Sequence, residues 1–349
     1  TTMSAATKVR WSSRFAFLMA AVGSAVGLAN IYRFPYTAGV SGGGAFVLIY
    51  LAAVLLLALP LVIAELTVGR RGKAAPPQAI SNVAQESGLS ANWGWMGVIL
   101  GGFGGMLVLS FYSVVGGWTM AFVVEMATGG MGDGSAEEAR AIFGNLNSQP
   151  GVLIAWFTAF IGATIFISGR GIHAGVEKAV TLMMPALLVI LVMMVFYAAS
   201  VGNFSQAVEF LFTPDFSKVT TEVVLAAAGQ AFFSVSVGLT ALVAYGSYMR
   251  RTTSITQSAL IIVGIDTLIA VLAGLAIFPI IFAFGVEADA GPGLVFITLP
   301  IVFTEMAGGQ FFGTLFFLLL LFAALTSSIG MLEAPVAWLT ERTRLNRTG

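Results

Sequence analysis

A chain of 349 residues that is 58% hydrophobic and only 9% charged, with a mean hydropathy of +0.95, is not an ordinary soluble domain; it describes a polytopic membrane protein whose first partner is the lipid bilayer. Lys plus Arg and Asp plus Glu each total 16, so no charge excess points to nucleic acid, and the absence of cysteine excludes a disulfide framework. Nothing in the composition calls for an obligatory protein partner.

In chain order, Lys8, Arg10 and Arg14 lead into an apolar run longer than a signal-peptide core, so no leader is expected to be removed. A spanning helix takes about 20 residues. Runs of that length fall at roughly 12–38, 43–69, 93–126, 151–169, 174–200, 222–250, 254–284 and 309–340, which makes the fold all-α and the whole of 1–349 one membrane domain. Their connections alternate in charge. Lys8, Arg10, Arg14, Arg70, Arg71, Lys73, Arg170, Lys178, Arg250, Arg251, Arg342, Arg344 and Arg347 share one set of ends, Arg140 and Lys218 the other, and Arg33 lies inside the first run. The positive-inside rule then places both termini in the cytoplasm of a cell (inner) membrane and turns 127–150, 201–221 and 285–308 outward.

Two runs look interrupted. The first contains Gly23-Ser24-Ala25-Val26-Gly27-Leu28-Ala29-Asn30 and then Arg33-Phe34-Pro35, poor choices for a surface facing lipid. Backbone that leaves helical geometry in hydrocarbon is tolerated only inside protein or beside a water-filled cavity. The sixth contains Gln230-Ala231-Phe232-Phe233-Ser234-Val235-Ser236-Val237-Gly238. Small residues also serve close helix packing, and either stretch alone is open to that reading. Two interruptions five spans apart match inverted five-helix repeats that each open on a discontinuous helix, here 12–200 and, in part, 222–340; this is the pattern of a secondary transporter. Asp266, mid-way along the seventh run, costs about 2.5–3.5 kcal/mol there and is by default a functional-site candidate, the alternative being a protonated or structurally paired acid. An enzyme is not expected: no nucleophile sits with a base, and Gly42-Gly43-Gly44 follows no strand and lacks the P-loop lysine.

The run Gly23 to Pro35, Gly42-Gly43-Gly44-Ala45-Phe46, Glu65 with Gly69-Arg70, Gly229-Gln230-Ala231-Phe232-Phe233-Ser234, Phe296-Ile297-Thr298-Leu299-Pro300 and Leu325-Thr326-Ser327-Ser328 occur in order from Trp11 to about Glu341. Together they resemble a bacterial member of the neurotransmitter:sodium symporter family, which has the LeuT fold with discontinuous helices 1 and 6. Members normally continue through twelve spans. This chain is expected to end after the eighth, without the last helices and without the outer acidic partner of Arg33.

The resemblance implies a symporter carrying a neutral, hydrophobic amino acid with two Na+ ions. A first sodium site would use Ala25, Asn30, Ser234 and Asp266; a second would use Gly23, Val26, Ala323, Thr326 and Ser327. Oxygen donors suit so hard a cation, although Thr326 and Ser327 could equally be helix hydroxyls bonded back to their own backbone. The substrate carboxylate would meet Ala25, the Leu28 and Ala29 amides and Tyr112, with Val108, Val115, Phe233, Ser234, Ser236, Leu239, Ser327 and Met331 around the rest. None of these is charged, which favours an apolar side chain. Leu239 stands where some relatives carry phenylalanine, and Ala29 where glycine is usual. Arg33 with Tyr112 and Phe233 would close the outer side; Lys8, Trp11 and Glu341 would close the inner. The Asp266 carboxylate would do the work that chloride does in other members, implying chloride independence. Gly175 and Pro185 frame a stretch that unwinds in relatives, His173 reads as a solvated loop residue, and Glu333 as either a proton site or a hydrogen-bonded structural acid. The other reading of the whole is an inactive or binding-only fragment of such a transporter.

Overall fold

The structure, a computed structural model, describes residues 10–131, 136–285, 293–343 and 347. Six helices among these are long and apolar enough to cross a membrane: α3 (Gly44–Gly72), α5 (Ala91–Thr128), α7 (Pro150–Gly169), α8 (Ile172–Val201), α12 (Ile255–Phe284) and α14 (Gly309–Arg342). A seventh crossing is the pair α1 (Arg14–Ala25) and α2 (Ala29–Val40), bent by 49° at its break. The run expected at 222–250 is not one helix. It is α10 (Thr221–Ser234) and α11 (Ala241–Ser247), 14 and 7 residues long, joined by a non-helical stretch.

Starts and stops follow local chemistry. Ser13, Asn203, Thr220 and Ser254 each accept a hydrogen bond from the amide three residues on, satisfying a donor that a helix N-terminus leaves open. Gly129 and Gly285 end their helices with left-handed backbone. The connections expected to be plain loops hold short helices: α4 (Pro76–Glu86), α6 (Ala136–Ser148), α9 (Phe204–Phe212) and α13 (Leu294–Glu305). The apolar faces of α4, α6 and α9 pack on the bundle while their other faces carry Gln, Asn and Glu, a mixed pattern that a search for long apolar runs passes over; α13 is apolar and largely buried but shorter than a crossing.

Burial ranks the helices. Some 72% of the most apolar stretch of α14 is covered by protein, against 17% for α7, so α14 is the central post and α7 lies at the periphery. α14 runs along α5, α8 and α1, and a buried hydroxyl pair, Thr164 and Ser328 at 2.8 Å, ties α7 to it. The two broken crossings lie between these helices: α1 against α8, α12 and α14, and α10 and α11 against α3.

The second break is held by α3. Glu65 Oε1 accepts a 2.6 Å hydrogen bond from the Gly238 amide in the non-helical stretch. Its carboxylate also faces the Leu242 and Val243 amides at the start of α11 without closing hydrogen bonds to them, a place where a helix favours negative charge. One turn along α3, Gly69 lets α11 approach at backbone distance: a Cβ there would lie 2.1 Å from the Val243 carbonyl oxygen.

Two outcomes follow from this contact. Gly69→Ala forces backbone apart, since no side-chain rotation relieves the clash, and should lower the thermal midpoint in detergent by the equivalent of about 1–3 kcal/mol; Gly162→Ala, with nothing within 4 Å of the new methyl, should not. Glu65→Ala removes the hydrogen bond to the exposed Gly238 amide, a loss of about 0.5–1.5 kcal/mol, and should appear as faster hydrogen exchange over residues 237–244, with Glu65→Gln in between.

Candidate functional site

The first break begins where α1 ends at Ala25 and Val26 turns extended (ψ 118°). The chain re-enters helix through a π-helical turn, Ala29–Arg33. Three side chains take up the groups this releases. The Gly27 amide donates to Asn30 Oδ1 at 3.0 Å, the Leu28 amide to the Tyr112 hydroxyl at 3.2 Å, and Gln230 Nε2 donates to the Ala29 carbonyl at 2.8 Å. A Cβ on Gly27 would lie 2.5 Å from Ser327 Oγ and 2.8 Å from the Tyr112 hydroxyl, so glycine makes the room in which both hydroxyls sit. Ala29 is not among the residues with positive φ. Its methyl therefore costs nothing in backbone conformation; it lines the cavity instead.

Two clusters of oxygen atoms flank the break. In one, fully buried, Asn30 Nδ2 donates to Ser234 Oγ (2.9 Å), Asp266 Oδ1 (2.8 Å) and the Asp266 carbonyl (3.0 Å), while Ser234 Oγ donates to Asp266 Oδ2 at 2.5 Å. α2, α10 and α12 thus meet on one carboxylate. In the other, Ser327 Oγ reaches the Val26 carbonyl at 2.8 Å and the Gly23 carbonyl at 3.3 Å, and Thr326 Oγ1 reaches the carbonyls of Phe322 (3.0 Å) and Ala323 (3.2 Å). Thr326 does bond back along its own helix, as the alternative reading had it, whereas Ser327 bonds across to the broken helix. Converging carbonyl and carboxylate oxygens repel one another unless something positive lies among them. Here hydroxyl and carboxamide hydrogens, the latter on Asn30 Nδ2, fill that role, while the carbonyl, hydroxyl and carboxylate oxygens around them are the donors that suit a hard cation.

Between the clusters is a cavity of about 260 Å³. Ala25, Leu28, Ala29, Val108, Tyr112, Phe233, Ser236, Leu239, Ser327 and Met331 line it, all of them expected from the sequence. Two expected residues do not. Val115 lies two turns beyond Val108 on α5 and packs into the core, and the Ser234 side chain turns away to Asp266. Gly27, Gly229, Phe232 and Val237 line it unanticipated. Arg33 closes one side, its guanidinium 4.7 Å from the centre of the Phe233 ring, a distance at which a cation is attracted to an aromatic face.

The opposite, basic end is stitched shut. Trp11 is buried; its indole nitrogen donates to the Tyr245 carbonyl at 3.0 Å and its amide to the Tyr248 carbonyl at 3.2 Å. The Ser12 amide donates to Glu177 on α8 at 2.8 Å, and Arg250 donates to the Ser12 carbonyl at 2.7 Å. Glu177 also lies 3.2 Å from the exposed His173 imidazole. Both belong to a π-helical turn, Ile172–Glu177, that contains Gly175, with Pro185 further along the same helix. The buried Glu333 accepts from the Tyr248 hydroxyl at 2.8 Å and pairs with Arg347, so its oxygens are satisfied as in a structural acid. Glu341 accepts from the Ala75 amide at 2.9 Å; Lys8, its expected partner, lies outside the described residues.

Comparison with known proteins agrees with this geometry. A profile described as the sodium:neurotransmitter symporter family matches residues 8–133 and 142–348. An uncharacterized sodium-dependent transporter, YhdH of Bacillus subtilis (strain 168), is 39% identical over 338 residues, covering 96% of this chain and 73% of that protein. The sodium-dependent serotonin transporter of Drosophila melanogaster is 26% identical, over 96% of this chain and 60% of its own. Among solved structures, the crystal structure of MhsT in complex with L-phenylalanine superposes with a TM-score of 0.88 at 38% identity, covering 97% of this chain and 76% of the other. The chain belongs to the sodium:neurotransmitter symporter family.

Proposed function

We propose that the protein is a sodium-coupled symporter that carries neutral, hydrophobic amino acids into the cell by alternating access, with two Na+ ions as co-substrates and no need for chloride. The observation that supports this best is the apolar cavity lying between two oxygen-rich polar clusters, each built across a helix break. The relatives' sodium dependence and the phenylalanine bound to MhsT point the same way.

Each part of the site has a role in that cycle. One ion would sit among Ala25, Asn30, Ser234 and Asp266, where the carboxylate offsets its charge without an anion; the other would sit among Gly23, Val26, Ala323, Thr326 and Ser327. The Tyr112 hydroxyl accepts from the Leu28 amide, which leaves its own proton to donate to a substrate carboxylate held near Leu28, Ala29 and the first ion. The wall of Val108, Leu239, Phe233 and Met331 offers no charge, so a basic or acidic substrate side chain would be buried unpaired. Arg33 on Phe233 would form the outer lid and the Trp11 ties the inner one, with both termini in the cytoplasm and the first and sixth spans, which open the repeat 12–200 and the partial repeat 222–340, tilting to open the inner path. Two charges falling through the membrane potential supply roughly 2 × 2.3 kcal/mol per 100 mV.

The test is uptake of labelled L-leucine and L-phenylalanine into proteoliposomes under an inward sodium gradient. Accumulation that disappears when potassium replaces sodium, and in Asp266→Ala, is the expected result; equal uptake in both salts would overturn the reading. Replacing chloride by gluconate at constant sodium should leave the initial rate unchanged, because the fixed Asp266 charge remains, and a rate that collapses would show that an anion is required.

A further inference from the structure

The least regular wall of the cavity is the stretch between α10 and α11. Three of its residues have left-handed backbone: Ser236 (φ 54°), Gly238 (φ 91°) and Thr240 (φ 57°). Glycine enters this region freely, but a β-branched residue there is an outlier. Thr240 immediately precedes α11, yet its side chain makes no capping bond. Its hydroxyl is buried and has no hydrogen-bond partner. The side chain is pressed against another helix at a glycine. A Cβ on Gly101, in the π-helical stretch Val98–Gly104 of α5, would lie 2.0 Å from Thr240 Oγ1 and 3.5 Å from Ala334 Cβ on α14. Ala334 is one turn from Met331, and Thr240 follows Leu239 directly; both Met331 and Leu239 line the cavity.

An unfavourable backbone and an unsatisfied hydroxyl on one residue both oppose folding, and glycine at this position would remove both. Features of this kind persist where the surroundings over-determine them and concentrate at working sites. We propose that Thr240 is a positioning residue that sets substrate selectivity: confined to its small left-handed well and pressed against Gly101, it fixes Leu239 as a rigid wall and restricts the cavity to side chains of limited size. This rests on the reading of the cavity as an amino-acid site. Withdrawing Leu239 to admit a larger ring requires rotation on both sides of it. Gly238 supplies one hinge, and Thr240 withholds the other.

The experiment measures dissociation constants of labelled L-leucine and L-tryptophan for the purified protein in sodium. Thr240→Gly supplies the second hinge and should move the leucine-to-tryptophan ratio toward tryptophan by about fivefold or more. Thr240→Ala removes the hydroxyl and methyl but keeps a Cβ and the same narrow well, so its ratio should stay within about twofold of the parent. Gly101→Ala drives a methyl into the Thr240 hydroxyl; it should disturb the ratio and be corrected when combined with Thr240→Ala, which removes that hydroxyl. A Thr240 with only a structural role would weaken both ligands alike in the glycine and alanine variants and leave the ratio unmoved. That result, or a Gly101→Ala defect that Thr240→Ala does not suppress, overturns the proposal. A parent protein that binds neither amino acid overturns the function proposed above and the Thr240 role with it, whereas a parent that binds and a ratio that does not move overturn the Thr240 role alone.

Discussion

Everything in this protein depends on how backbone groups set free in the middle of a membrane protein find partners. A continuous helix satisfies itself; a broken one exposes amides and carbonyls at depths where water is absent. At the first break those groups are met by Asn30, Tyr112, Gln230 and Ser327, and at the second by Glu65. The partners come from α2, α5, α10, α14 and α3, so each break is held by side chains of other helices as well as its own. This is why the central helices are so thoroughly covered by protein, and why the polar residues of the site form linked sets.

The same constraint explains the division of labour within the cavity. Polar atoms collect on either side of it, where carbonyls and hydroxyls converge, and the space between is left to methyl, thioether and phenyl groups. Asp266 is the one carboxyl group in the deep cluster, and its oxygens are hydrogen-bonded by Asn30 and Ser234 without a cationic side chain. A neighbouring lysine or arginine would pair with a carboxylate permanently; hydroxyl and carboxamide donors do not neutralise it.

Much of this was legible in the sequence because membrane proteins mark their exceptions. Asn30, Asp266 and the glycine-rich first break stand out against apolar neighbours, and the order of motifs fixed where Tyr112, Ser327 and Met331 belong. What was hidden depended on direction and length. Ser234 was assigned to the cavity and to the polar cluster, and only geometry shows its hydroxyl committed to Asp266. Val115 follows Val108 by seven residues, close to two helical turns, so spacing put both on one face without showing where along α5 the cavity ends. Glu65 was visible as part of a motif, but its contact with Gly238 joins residues 173 apart. The helices α4, α6 and α9 escaped because each buries only one face, and α13 because it is too short to read as a crossing.

The shortness of the broken pieces bears on how the chain is made. α1 has 12 residues, α10 has 14 and α11 has 7, all below the length that crosses hydrocarbon unaided. Entering the bilayer alone, each would leave open ends with nothing to bond. The full-length helices α3, α5, α7, α8, α12 and α14 are long enough to insert independently, and the two broken crossings must be gathered among them as the bundle closes. The amides and carbonyls that bracket the cavity are thus among the last to be satisfied during biogenesis, and the site is completed only when the bundle itself is.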